Sequence, residues 1–278
     1  MSSIRLAKKG RIPKKAVQGH LLLDRIFERD LDKGAVFVEI SGIQGCGKTS
    51  LMLGFATKIM RDNPEEIVFW REPVGSPAQF NKIGDDWQIL AEKNYPLEVL
   101  EITNDLCPAD VKIRYFRDYK ELIRMAKPGL LNVVYFHDLY KWIDLVDRLK
   151  LLPGWQTCFW DEYEDICPEH SSGLIWKKNK LLSNSLKQVR KGRVSLIVNS
   201  QSSMDSDFRV RSKAMMWIYL HGARVDKNSP IKKQAVQALM VGAGWVDHAH
   251  SLYGQFQFPP FKPKEVIYTV MEVQDETM

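Results

Sequence analysis

A chain of 278 residues with 45% hydrophobic content is long enough for one large α/β domain with a full core, or for two modest ones. No apolar run approaches the roughly 18 residues a bilayer span needs, the densest being Ala214 to Leu220, and no apolar segment follows the N-terminal charges, so we expect no membrane insertion and no secretory leader. The four cysteines, Cys46, Cys107, Cys158 and Cys167, are scattered, which argues against a disulfide framework and for a cytoplasmic protein.

The net charge of +6 is uneven, because residues 1–20 carry Arg5, Lys8, Lys9, Arg11, Lys14 and Lys15 without one acid. We read 1–20 as a mobile basic arm, able to hold phosphate backbones or simply to solubilise. His20 to Glu28 has helical spacing, and Ala35 to Ile40 is an apolar, β-branched strand. Gly42-Ile43-Gln44-Gly45-Cys46-Gly47-Lys48-Thr49 follows and fits the Walker A pattern of a phosphate-binding loop. A helical pattern runs from Ser50 to about Met60 and stops at Pro64. The glycines let successive N–H groups face one anion, the helix start adds its positive dipole end, and Lys48 brings a cation to the β- and γ-phosphates. Gly42, Gln44, Gly45, Cys46, Gly47, Lys48, Thr49 and Ser50 are therefore the expected nucleotide contacts, with the Thr49 hydroxyl on Mg2+.

Ile67 to Trp70 reads as a short strand. Residues 71–93 hold turn signals, Gly75-Ser76-Pro77 and Gly84-Asp85-Asp86, before an apolar stretch of helical look, and receive no firm assignment. Leu97 to Thr103 and Val111 to Phe116 alternate as strands do, and Asp118 to Met125 forms a helix closed by Pro128-Gly129. Leu131 to Phe136 is an apolar run, interrupted only by Asn132, typical of a strand buried on both faces. His137 to Leu152 is helical until Pro153-Gly154. Thr157-Cys158-Phe159-Trp160-Asp161-Glu162 is then an apolar strand ending in two acids, the Walker B pattern with an added glutamate. Asp161 would bind Mg2+ and Glu162 would deprotonate the attacking water; Glu164 and Asp165 read as a solvated helix start. Leu131 to Phe136 is the candidate for an additional strand between the two Walker strands.

Trp176 to Arg193 holds Lys177, Lys178, Lys180, Lys187, Arg190, Lys191 and Arg193 without an acid, and could track nucleic-acid phosphates or be an ordinary solvated face. It leads into Val194 to Val198, ending in Asn199-Ser200-Gln201. The stretch from Val189 to Gln201 resembles that of additional-strand P-loop ATPases of the FtsK/HerA superfamily, including viral and archaeal DNA-packaging and zonula-occludens-toxin-like ATPases. The resemblance spans about residues 35–220. It implies that Gln201 senses the γ-phosphate and that an arginine, Arg190 first and Arg193 second, reaches a neighbouring subunit's site, with Arg209 and Arg211 in reserve. Met215 to Leu220 reads as another strand, and Pro259, Pro260 and Pro263 point to an extended arm leading into Glu265 to Val273.

We thus expect an α/β fold with a mostly parallel central sheet, helices on both faces and a RecA/FtsK-like P-loop core. Residues 21–225 would be the ATPase domain and 226–278 an extension packing on it or on a neighbouring subunit. The implied function is hydrolysis of Mg-ATP to ADP and phosphate, driving translocation or packaging of double-stranded DNA by a homo-oligomeric ring, a hexamer among the sizes open to it. The alternatives are a phage-assembly DNA-export ATPase, a small-molecule or nucleotide kinase, and an ATP-binding switch without turnover.

Overall fold

The computed structural model describes residues 15–30, 32–102, 106–188, 192–201, 206–259 and 267–273. The arm up to residue 14, Arg190, Lys191, Pro260 and Pro263 lie outside the described residues. In chain order the elements are β1 (Lys15–Ala16), α1 (Gly19–Leu23), β2 (Phe37–Ser41), α2 (Lys48–Asp62), β3 (Ile67–Arg71), β4 (Trp87–Glu92), β5 (Leu97–Ile102), β6 (Leu106–Pro108) and β7 (Ile113–Phe116). Then follow α3 (Tyr119–Met125), β8 (Leu131–Tyr135), α4 (Lys141–Leu149), β9 (Gln156–Trp160), α5 (Gly173–Gln188), β10 (Val194–Ser200) and α6 (Phe208–Arg211). The last are β11 (Met216–Tyr219), α7 (Lys233–Gln237), β12 (Ala243–His248), β13 (Leu252–Gln257) and β14 (Ile267–Glu272).

The main sheet runs β1-β13-β12-β11-β2-β10-β9-β3-β8-β4-β7. All pairings from β11 to β7 are parallel, and only β12 is antiparallel to its neighbours. Because side chains alternate across a strand, Val38 and Ile40 of β2 join one core with Leu51, Phe55 and Ile59 of α2. Phe37 joins a second core, on the other face, with Leu122 of α3, Val146 of α4 and Leu182 of α5. Helices thus cover both faces, as expected for a parallel sheet.

Two expectations are corrected. The strand between the Walker strands is β10, which pairs in parallel with both β2 and β9; Leu131–Tyr135 lies outside them, between β3 and β4. Both segments are buried throughout, so burial on two faces identifies an inner strand but not its neighbours. The stretch of helical look after Gly84 is strand β4, paired with β7 and β8; six residues are too few for periodicity to separate a buried strand from a helix.

Past residue 225, β12 and β13 extend the main sheet from β11. β14 crosses to a second sheet, β14-β5-β6. From there it holds the segment after β3: Gly75 and Ala78 donate backbone N–H groups to the Val270 and Tyr268 carbonyls at 2.8 and 2.7 Å.

Candidate active site

At the carboxyl end of β2 the chain turns through Gly45 and Gly47, whose φ values of +76° and +97° are left-handed and suit a residue without Cβ. α2 starts at Lys48, so its unpaired N–H groups face the space above the sheet edge. Lys48 arches back along the loop, its Nζ donating to the Gly42 and Ile43 carbonyls at 2.8 and 3.1 Å. A cleft of about 360 Å³ opens here, bordered on the loop side by Gln44, Lys48, Thr49 and Ser50, and opposite by Glu72, Asp161, Glu162 and Gln201. Ligands of open α/β sheets bind in such crevices at carboxyl strand ends.

The structure brings the two Walker motifs into contact. Thr49 donates its hydroxyl proton to Asp161 Oδ2 at 3.0 Å. Asn199, buried on the intervening strand, donates to Asp161 Oδ1 at 2.5 Å and accepts the Glu162 N–H at 3.0 Å. Burial raises the Asp161 carboxyl pKa, opposed by the hydrogen bonds from Asn199 and Thr49 and then by Arg71 and Lys48. Glu162 is also raised, by burial first and then by the charges of Asp161 and Asp165. That direction brings a carboxylate's proton affinity closer to what a general base at neutral pH requires.

Glu162 adopts a left-handed conformation, φ +52°, uncommon for a residue with a side chain and often found at functional sites. Its neighbours enforce it. Arg71, at the end of β3, donates to the Asp161 carbonyl, to the Glu162 carbonyl at 3.0 Å and to Asp165 Oδ2 at 2.8 Å. The acids after Glu162 are therefore not a merely solvated helix start: Asp165 pairs with Arg71, and Glu164 accepts the Gln201 N–H at 3.1 Å.

Several contributors escaped the sequence reading. Arg71 and Glu72 close β3 beside the Walker B strand, and Asn199 stands two residues before Gln201. Glu72 is buried at the cleft wall, accepts from the Gln79 N–H at 2.6 Å and from the Trp70 indole, and is pushed up to about 8 by burial and by the nearby Asp161 charge. The signal available in each case was position, a polar residue at the carboxyl end of an apolar strand.

Among the arginines, Arg193 sits at the amino end of β10, where its carbonyl accepts the Gln156 N–H at 2.8 Å. It is separated from Gln201 by the whole strand, about 26 Å at the usual rise. Arg209 pairs with Asp207 and lies 4.8 Å from the Trp176 ring centre, while Arg211 reaches the Ser206 carbonyl at 3.3 Å. On α5, Lys178 is tied to Asp144 at 2.5 and 2.6 Å, Lys180 lies 5.2 Å from the Trp176 ring centre, and Lys177 and Lys187 are exposed.

The donor set around Thr49 suits Mg2+. One hydroxyl and one carboxylate leave the remaining positions to water and substrate phosphate, the usual way this cation is held. Among the described residues no group of three or more histidines, cysteines or acids is arranged to hold a metal, so the protein alone offers no dedicated cage. No helix among the described residues is long and apolar enough to cross a membrane.

No protein-family model matches the sequence, and no curated protein does. Solved structures do match. The genome-packaging NTPase B204 of Sulfolobus turreted icosahedral virus 2, in complex with ATP-gammaS, is 12% identical, has a TM-score of 0.53, and pairs 82% of this chain with 98% of that one. B204, the DNA-packaging ATPase from Sulfolobus turreted icosahedral virus, is 14% identical with a TM-score of 0.55, covering 82% and 99%. The N-terminal domain of zonular occludens toxin from Neisseria meningitidis, 14% identical over 87% and 96% of the two chains, reaches a TM-score of only 0.32, too low to carry an argument. The structural likeness to B204 at such low identity shows the fold alone: this chain has the P-loop NTPase fold, with the architecture seen in the packaging NTPase B204.

Proposed function

We propose that the protein hydrolyses ATP to ADP and phosphate and that hydrolysis drives the movement or packaging of DNA by a ring of identical subunits. The observation that carries the hydrolytic part is the contact of Thr49 with Asp161, beside Glu162, at the mouth of the Lys48 loop. Lys48 and the loop N–H groups bind the triphosphate, and Thr49 and Asp161 hold Mg2+, which when bound neutralises charge on the β- and γ-phosphate oxygens. Glu162 takes a proton from water as the water oxygen bonds to the γ-phosphorus and the bridge to the β-phosphate breaks, releasing ADP. Asn199 and Arg71 keep Asp161 and Glu162 in register. Gln201, on the cleft wall, contacts the γ-phosphate or the water, and Arg190 of a neighbouring copy supplies positive charge in the transition state.

The DNA and ring parts are supported by the shared architecture with a packaging NTPase and by the exposed lysines of α5. The decisive experiment is the ATPase rate with and without double-stranded DNA, alongside native mass in the presence of nucleotide. Stimulation by DNA together with an oligomer is expected. A monomer indifferent to DNA overturns the motor reading, and a protein that binds ATP without turnover overturns the enzymatic one.

A further inference from the structure

Beside the triphosphate cleft lies a second cavity, of about 410 Å³, within the range of small-ligand sites. Ser50, in the first turn of α2, borders both cavities. The catalytic acids and Gln201 stand across the cleft from the loop, so Ser50 marks the way out for the part of a nucleotide remote from the γ-phosphate. The cavity walls are largely apolar, with Leu23 at the end of α1, Phe27 beyond it, Phe55 on α2, and Phe256 with Phe258 at the end of β13, while His20, Asp24, Lys58 and Arg61 also line it. A largely apolar opening that adjoins a phosphate cradle at Ser50 fits the flat aromatic base of a nucleoside triphosphate.

From this we infer that the cavity is the nucleobase site and that Phe258 is the ring on which the base stacks. This rests on reading the cradle as a nucleoside triphosphate site. Phe258 is placed by its own backbone, whose N–H donates to the Gly242 carbonyl at 2.8 Å, and by the loop: a Cβ on Gly47 would lie 3.3 Å from its ring. Of the aromatic walls it is the one with a face to offer. Phe55 and Phe256 are buried; of the two partly buried rings, Phe27 is met edge-on by Phe55 at 5.7 Å and covered by the Lys58 ammonium at 4.7 Å, whereas Phe258 is met by the tilted Phe256 ring at 6.0 Å. The base site is thus assembled from an N-terminal helix and from chain beyond residue 225, which makes both parts of the nucleotide-binding unit.

The test is calorimetric binding of ATP and of inorganic tripolyphosphate, each with Mg2+, to the full-length protein and to Phe258→Ala, Phe258→Trp and Lys48→Ala variants. In the unaltered protein ATP should bind tighter than tripolyphosphate. Phe258→Ala should weaken ATP by about tenfold or more, the loss expected for one base–aromatic stack, and leave tripolyphosphate within a few-fold; Phe258→Trp should keep ATP binding. Lys48→Ala should weaken both. If Phe258→Ala weakens both ligands equally, the ring only props Gly47 and the inference is overturned, as it is if ATP binding is unchanged. If the unaltered protein binds neither ligand, the triphosphate reading itself fails.

Discussion

Glu39 lies in the middle of β2, the strand that launches the phosphate loop, and is 1% exposed. Neither carboxylate oxygen has a hydrogen bond of good geometry; the Tyr163 hydroxyl, the group that moderates it most, donates to Ser206. Burial pushes Glu39 up to about 8 from 4.5, tempered by Tyr163 and Arg211 and reinforced by the charges of Glu164 and Asp226. The folded protein therefore keeps a proton that the unfolded chain releases above about pH 4.5. The unfolded state binds fewer protons in that range, so stability falls as pH rises from about 4.5 to about 8. The slope is about 1.4 kcal/mol per pH unit, and the whole window corresponds to at most about 5 kcal/mol.

Glu39→Gln keeps the shape of the neutral acid and removes the titration. In urea denaturation at pH 5, 6, 7 and 8, the variant should match the unaltered protein within about 1 kcal/mol at pH 5 and exceed it by several kcal/mol at pH 8. Glu72, raised in the same window, is present in both proteins and cancels in the difference. A gap that stays flat with pH would show that Glu39 is charged when folded, and the reasoning would fail.

Other outcomes follow from the site and its supports. Arg71→Met leaves the carbonyls of Asp161 and Glu162 without their buried donor. It should cost about 3 kcal/mol of stability and, by loosening the left-handed Glu162, slow hydrolysis by about 10- to 100-fold; melting and steady-state rates with an unshifted KM check this. Gly254→Ala would place a Cβ 2.2 Å from the Val17 carbonyl oxygen and 2.6 Å from the Gly19 N, prising α1 from β13. A loss of about 1–3 kcal/mol and faster proteolysis before residue 27 are expected; an unchanged melting temperature would contradict that contact.

The chemistry of the site was more legible than its construction. Gly42 to Thr49 and Asp161-Glu162 declare themselves because phosphate and metal binding require particular residue types at short spacing. Their neighbours depend on pairing between distant segments. Arg71 supports Asp161 only because β3 lies beside β9 in parallel, and Asn199 reaches both acids because β10 lies between β2 and β9. Apolar runs state that strands are buried, not their order, which is how Leu131–Tyr135 came to be expected in the place of β10. Likewise nothing local in Phe258 indicates that it rests against Gly47, more than 200 residues earlier in the chain. The role of Arg190 depends on a second subunit and on residues outside those described.

The central claim is that Glu162 is the proton acceptor in a cradle built by the loop, Asp161 and Asn199. Single-turnover hydrolysis of ATP by Glu162→Gln, with Mg2+ and with ATP affinity measured in parallel, tests it most directly. The account predicts affinity within a few-fold of the unaltered protein and hydrolysis slower by about 100-fold or more, the usual worth of a positioned general base. Hydrolysis at the unaltered rate would contradict it.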